Sequence, residues 1–166
     1  KKIINYKHAW LEIYDKPIIY FPKFFHPDPT VKRQSGFLMP QIIDSSSLGL
    51  SLKLPYYKVL SDNKDLTFTP RIFSENEALF QNEYRQVNKN SKHIVDFSLK
   101  EKNSTSKTHF FSNSLTKLNM NIFDVSEVEL NLETTSNQDY LKTHNIKSKI
   151  NNNQSLLKSF LIFRGN

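Results

Sequence analysis

The constraint that decides most about this chain is a period of two. Leu48, Leu50, Leu52 and Leu54 alternate with Gly49, Ser51, Lys53 and Pro55. The same dyad sets Leu66, Phe68 and Ile72 against Thr67, Thr69 and Arg71, and Val95, Phe97 and Leu99 against Asp96, Ser98 and Lys100. It returns where Val128, Leu130 and Leu132 oppose Glu127, Glu129, Asn131 and Glu133. Successive side chains of a strand point to opposite faces, so each run has one apolar and one polar face. No segment holds a 3.6-residue period over three turns, and the chain reads as all-β.

The pattern predicts a hairpin over residues 6–25, turning at Asp15-Lys16-Pro17, with an irregular stretch at His26-Pro27-Asp28-Pro29. Further strands are expected near 35–43, 47–57, 64–73, 78–88, 92–101, 107–113, 117–123, 126–135, 140–150 and 155–164. Breaks rich in Ser, Asn, Asp and Lys separate them, as at Asp44 to Ser47, Ser61 to Lys64, Asn88 to Ser91 and Asn151 to Asn153. Units this long suit an up-and-down antiparallel meander. Its apolar face is either a buried core or a lipid face, and the pattern alone does not separate the two.

All seven prolines lie between Pro17 and Pro70, at 17, 22, 27, 29, 40, 55 and 70. A proline removes a ladder donor, so it belongs at an edge, a strand end or a bulge. Prolines in two neighbouring strands weaken the seam between them.

Aromatic residues make up 13% of the chain, too many for a disordered one. The net charge of +7 reflects either a Lys- and Asn-rich composition or an acidic partner, without any basic run of the kind found in nucleic-acid tails. There is no cysteine, which excludes thiolate metal sites. Lys1 is not an initiator, so the sequence is expected to be an internal fragment of a longer protein. No apolar run approaches the roughly 18 residues of a transmembrane helix, which leaves a transmembrane β-barrel open.

Chemistry-bearing motifs are sparse. His8, His26, His93, His109 and His144 have no metal-ligand spacing and read as surface or strand-face residues. Glu127, Glu129 and Glu133 share a strand face, which fits a solvated or lumenal surface better than an acid–base set. No catalytic residue, metal or other cofactor is expected. Tyr20-Phe21, Phe24-Phe25, Tyr56-Tyr57 and Phe110-Phe111 sit near expected strand ends, as core aromatics or as an interfacial girdle; stacking of single-stranded nucleic acid is a third reading, which no oligonucleotide-binding signature accompanies.

The stretch PIIYFPKFFHPDPTVKRQSGFLMP, with SSSLGLSLKLPYYKVLSDNKDLTFTPRIFSENEALFQNEYR after it, resembles the lipopolysaccharide-assembly outer-membrane protein family, LptD or OstA. The motifs are Pro17 to Pro22, Arg33 to Pro40, Pro55 to Tyr57, Asn63 to Pro70 and Leu79 to Arg85. Lys58-Val59-Leu60-Ser61 departs from the family, which usually has an aromatic and Ala-Pro there.

The resemblance implies that residues 1–30 end a periplasmic β-jellyroll and residues 31–166 begin a large antiparallel outer-membrane barrel, not closed in this fragment. It implies an outer-membrane translocon component, not an enzyme. This would pass lipopolysaccharide into the outer leaflet through a lateral gate, with an LptE-like lipoprotein and an LptA-like periplasmic bridge as partners. Pro40 and Pro55 match the gate prolines. Ile13, Ile18, Tyr20 and Phe24 are candidates for the lipid path or for ordinary packing. Lys23, Lys32 and Arg33 would meet lipid phosphates or solvate the junction. The other reading of the residues is a soluble all-β lipid- or carbohydrate-binding module.

Overall fold

The computed structural model describes residues 3–13, 15–27, 33–74, 77–102, 105–120 and 123–165. Strand β1 (Ile3–Ile13) pairs antiparallel with β2 (Lys16–Pro27) as a two-stranded sheet. The turn forms at Asp15, whose φ is 58°, and Lys16 and Pro17 already belong to β2. The stretch expected to be irregular starts later than anticipated: His26 pairs with Ile4 and Pro27 with Ile3. Pro27 is tolerated there because it is the last residue of the strand. Pro22 lies opposite His8, between the pairs Lys7↔Lys23 and Ala9↔Phe21. His8 there takes a φ of 53°.

A second sheet runs in strict chain order. It contains β3 (Gly36–Phe37), β4 (Gln41–Ser45), β5 (Gly49–Lys53), β6 (Tyr56–Ser61), β7 (Lys64–Phe73) and β8 (Ala78–Val87). It continues through β9 (Ser91–Lys102), β10 (Thr105–Met120), β11 (Phe123–Thr135) and β12 (Phe160–Gly165). Every pairing is antiparallel. β3 with β4, and β5 with β6, are each one strand interrupted at a proline. The sheet is an open meander, as the alternation and the even spacing of turns predict.

Two expectations are corrected. The strands expected at 107–113 and 117–123 are one, because Ser112 to Thr116 pair with β9 on one side and β11 on the other. Cross-strand partners there outweigh the weak strand propensity of Ser and Asn. Phe110 and Phe111 therefore lie within a strand and not near its end. The strand expected at 140–150 does not form. Residues 140–143 make a single helical turn, α1 (Tyr140–Thr143), and the chain stays irregular to β12.

The turns after β6 and β8, at 62–63 and 88–90, lie at one end of the sheet and take two and three residues. The segment 136–159 joins β11 to β12 at the opposite end, the end that also holds the 46–48 turn.

Candidate functional site

The second sheet has its faces reversed relative to a water-soluble β-protein. One face carries Leu66, Phe68 and Ile72 of β7, Phe80 of β8, Val95, Phe97 and Leu99 of β9, Phe110 of β10 and Leu130 and Leu132 of β11, as the register dictates. No described residue covers this face: Phe97 is 42% exposed and Phe163 72%. From Leu66 to Ile72 the apolar positions span about 20 Å of strand. Charged positions on this face fall toward strand ends, at Lys58, Lys64 and Glu101. The opposite face holds Asp65, Thr67, Thr69 and Arg71, then Gln81, Glu83 and Arg85, then Asp96, Ser98 and Lys100. Asp65, Arg71, Asp96, Ser98 and Lys100 among them are buried, with Asp96 at 1% exposure and Arg71 at 2%, and the others are half-buried.

The 136–159 segment does the covering. Tyr140, Leu141 and Ile146 bury against Phe73, Leu79 and Phe111, with Leu48 and Ile150 beside them. This small apolar island is the core of the described residues. Around it the polar face binds the segment by name. The Arg71 guanidinium donates to the His144 carbonyl at 2.6 Å and to Ser51 Oγ at 2.9 Å, and it lies over the Phe73 ring. Gln81 donates to the Lys147 carbonyl, and Lys149 pairs with Glu83 at 2.8 Å. Glu133 accepts from Asn131, from Asn151 and from the Lys158 amide.

The surroundings of His144 favour its neutral form. Its Nδ1–H donates to the Tyr140 carbonyl at 3.0 Å, and its Nε2 accepts from Lys100 Nζ, also at 3.0 Å. Burial lowers its pKa below the usual histidine value, and the Lys100, Lys107 and Arg71 cations lower it further. Lys100 is itself paired with Glu77 at 2.6 Å.

Beneath Tyr140 lies a buried relay. The Tyr140 hydroxyl meets Ser98 Oγ at 2.8 Å, Ser98 Oγ meets His109 Nδ1 at 2.6 Å, and His109 Nε2 meets Asp96 at 3.2 Å. These are the residue types of a hydrolytic triad. Here Ser98 is 2% exposed and capped by Tyr140, so no substrate carbonyl reaches its oxygen. The relay satisfies buried polar groups. By sequence His109 and His144 read as surface or strand-face residues, and both are buried. Only the folding-in of the 136–159 segment buries them.

Three prolines line up across neighbouring strands. Leu38 N–H donates to the Pro55 carbonyl at 2.8 Å, and Leu54 N–H donates to the Pro70 carbonyl at 3.0 Å. In an antiparallel pair of this kind each residue returns a bond. Pro55 cannot return one to Leu38, and Pro70 cannot return one to Leu54. Pro40 differs: since Gln41 pairs with Lys53, the Pro40 nitrogen faces away from β5, toward the open edge of the sheet. The register slips by one residue between Phe37↔Tyr56 and Gln41↔Lys53, and Met39 in that gap is 83% exposed. Pro70, absent from the sequence-derived candidates, carries its own signal: 40, 55 and 70 are evenly spaced, one strand-plus-turn apart.

Among the other candidates, Tyr20 is exposed, with its ring 4.8 Å from Trp10 and its hydroxyl on His8 Nδ1. The side chains of Ile13, Ile18 and Phe24, and all of Lys32, lie outside the described residues. Lys23 is exposed on β2. Arg33 binds the Tyr57 hydroxyl at 3.2 Å, the Asp62 carbonyl and the Asp65 carboxylate. Arg85 meets the other Asp65 oxygen at 2.7 Å. Asp65 thereby clasps the segment entering the sheet to β6, β7 and β8. Glu127 and Glu129 share Arg164, at 2.8 and 2.9 Å. Among the described residues no cluster of His, Asp and Glu is placed to hold a metal ion.

An open antiparallel meander in chain order, with an uncovered apolar face and a polar face that buries charge, defines the chain as an inside-out all-β protein. A family model described as LptD protein matches residues 4–161. The chain belongs to the LptD family. It is 32% identical over 103 residues to the LPS-assembly protein LptD of Pseudoalteromonas atlantica, covering 62% of this chain and 13% of that protein. With the namesake of Pseudomonas aeruginosa it shares 35% over 89 residues, 54% of this chain and 10% of the relative. With that of Pseudomonas entomophila it shares 38% over 81 residues, 49% and 8%. The chain thus matches about a tenth of the length of these curated relatives.

Proposed function

We propose that this chain forms the junction and opening strands of an outer-membrane translocon that carries lipopolysaccharide and inserts it into the outer leaflet through a lateral gate. The observation that supports this best is the uncovered apolar face, in a chain whose relatives are named LPS-assembly proteins. That face would meet lipid, where no water replaces a missing partner, and the polar face would line the lumen. The short turns at one end and the long 136–159 segment at the other match the periplasmic and extracellular ends of such barrels. Residues 1–30 would close a periplasmic jellyroll and residues 31–166 would begin the barrel. The rest of the barrel, an LptE-like lipoprotein and an LptA-like bridge would complete the machine, which moves its substrate without chemical change.

In this reading Pro40 leaves the closing edge one donor short, and Pro55 does the same between the first two barrel strands. Each missing bond lowers the seam by about 1 kcal/mol, so it opens where a fully paired seam would not. Ile13, Ile18, Tyr20 and Phe24 would contribute to the acyl-chain path, and Lys23 and Lys32 would approach lipid phosphates at the junction. Arg33, bound to Asp65, would hold the junction to the barrel.

The test uses the full-length parent protein. Recovery in outer-membrane detergent extracts, with a gel shift on boiling, is expected. Pro40→Ala and Pro55→Ala are expected to lower surface lipopolysaccharide and raise antibiotic permeability. A water-soluble monomer without a heat shift would overturn the reading in favour of a soluble binding module. Unchanged export in both variants would remove the prolines from the gate.

A further inference from the structure

On the polar face, beside Pro55, the docked 136–159 segment and the sheet enclose an open groove of about 580 Å³. That is within the range of roughly 300–1,000 Å³ typical of ligand sites. Its walls carry Lys53 from β5, Thr67 and Thr69 from β7, Gln81 from β8 and Lys147 from the segment. The charges around it do not balance. Glu83 is matched by Lys149 at 2.8 Å and Arg85 at 3.5 Å, and Asp65 by Arg33 and Arg85. Glu77 is matched by Lys100. Among the described residues the Lys53 and Lys147 ammonium groups have no ion pair and no hydrogen bond. Arg71, behind them, is buried with only neutral partners, Ser51 Oγ and the His144 carbonyl.

Lys53 and Lys147 thus face the groove with Arg71 behind them, although folding like charges together costs energy. The carboxylate in its lining, Glu83, is already held by Lys149 and Arg85. The Gln81 bond to the Lys147 carbonyl, at 3.0 Å, fixes the segment so that Lys147 stands over the groove. Hydroxyl and amide groups of Thr67, Thr69 and Gln81 complete the lining. Lysine binds phosphate as a point charge, and a phosphate of charge about −1.5 to −2 offsets much of this excess.

We propose that the groove is a binding site for a phosphate group carried on a sugar, with Lys53 and Lys147 as its two cationic arms. The proposal rests on the reading that the polar face lines the path of a phosphorylated glycolipid's headgroup. The site exists only while the segment is docked, since Lys147 comes from it.

The experiment is calorimetric titration of the full-length protein in detergent. The probes are a bis-phosphorylated glucosamine disaccharide, the same disaccharide without phosphates, and inorganic pyrophosphate. The phosphorylated disaccharide is expected to bind about tenfold or more tighter than its dephosphorylated form, the scale of a charge-assisted phosphate contact. Lys53→Gln with Lys147→Gln is expected to remove that preference, and Lys89→Gln, in a turn at the far end, to keep it. Because the two lysines are unpaired, the double variant is expected to keep its heat-shift temperature and the segment's resistance to protease. Equal binding of the two disaccharides, or a double variant that binds like wild type, overturns the site. Pyrophosphate bound as tightly as the phosphorylated sugar overturns the glycolipid assignment in favour of free phosphate. Export of surface lipopolysaccharide, measured alongside, is independent of these outcomes, so the site fails separately from the transport reading.

Discussion

Leu141→Ala tests the docking of the 136–159 segment. Leu141 is 2% exposed and packs in the island with Phe73, Leu79, Phe111, Tyr140 and Ile146. Truncating a buried leucine removes its transfer free energy and leaves a cavity, costing about 2–5 kcal/mol. The sheet does not depend on the island for its ladders, so the loss falls on docking and not on strand pairing. A cost of about 3 kcal/mol raises the open population roughly a hundredfold, at 1.4 kcal/mol per factor of ten. The readout is hydrogen exchange of the full-length protein. The amides of His144 and Ile146, bonded to the Tyr140 and Leu141 carbonyls, are expected to exchange roughly a hundredfold faster, while β7 to β10 keep their protection. Acceleration spread evenly over those strands would refute the separation of docking from the sheet. Unchanged exchange at both amides would refute the island as the anchor.

Acidification is expected to release the same segment. His144 has a folded pKa below its ordinary value of about 6.5, so the undocked form binds the proton more readily and docking strengthens as pH rises. Docking is complete above about pH 6.5 and weakens as pH falls below it; protease cleavage within 147–155 rising at low pH, with a flat profile in His144→Gln, checks this. Asp65→Asn removes the charge that Arg33 and Arg85 share, and both guanidinium groups are about a third exposed, so the loss is about 1–2 kcal/mol. A lowered heat-shift temperature of the barrel is the expected result, and an unchanged one would dismiss the clasp. Phe97→Lys places a charge amid the uncovered apolar band, costing up to about 2–4 kcal/mol in a bilayer. Loss of outer-membrane recovery is expected, whereas normal recovery would place Phe97 away from lipid.

Strands whose side chains alternate cleanly were legible from residues alone. β7, β8 and β9 fall within a residue or so of their expected ends, because both faces of each strand meet a uniform environment. β10 was not legible, since Ser112 to Thr116 owe their strand geometry to two neighbours and not to their own preferences. The segment after Thr135 misled for a related reason. Tyr140, Leu141 and Ile146 look like strand residues until the sheet provides an apolar island to receive them.

By itself the sequence determined the all-β class, the chain-order meander, the positions of the prolines and the resemblance to one family. All of these depend on local pattern: period two, turn residues and motif order. The tertiary structure alone decided which face is bare, which ladder each proline interrupts, and that His109 and His144 are buried. It also decided that Lys53 and Lys147, far apart in sequence, share one groove. Alternation separates two faces but is blind to what covers them, and a charge imbalance becomes visible only when distant strands and a folded-in segment meet.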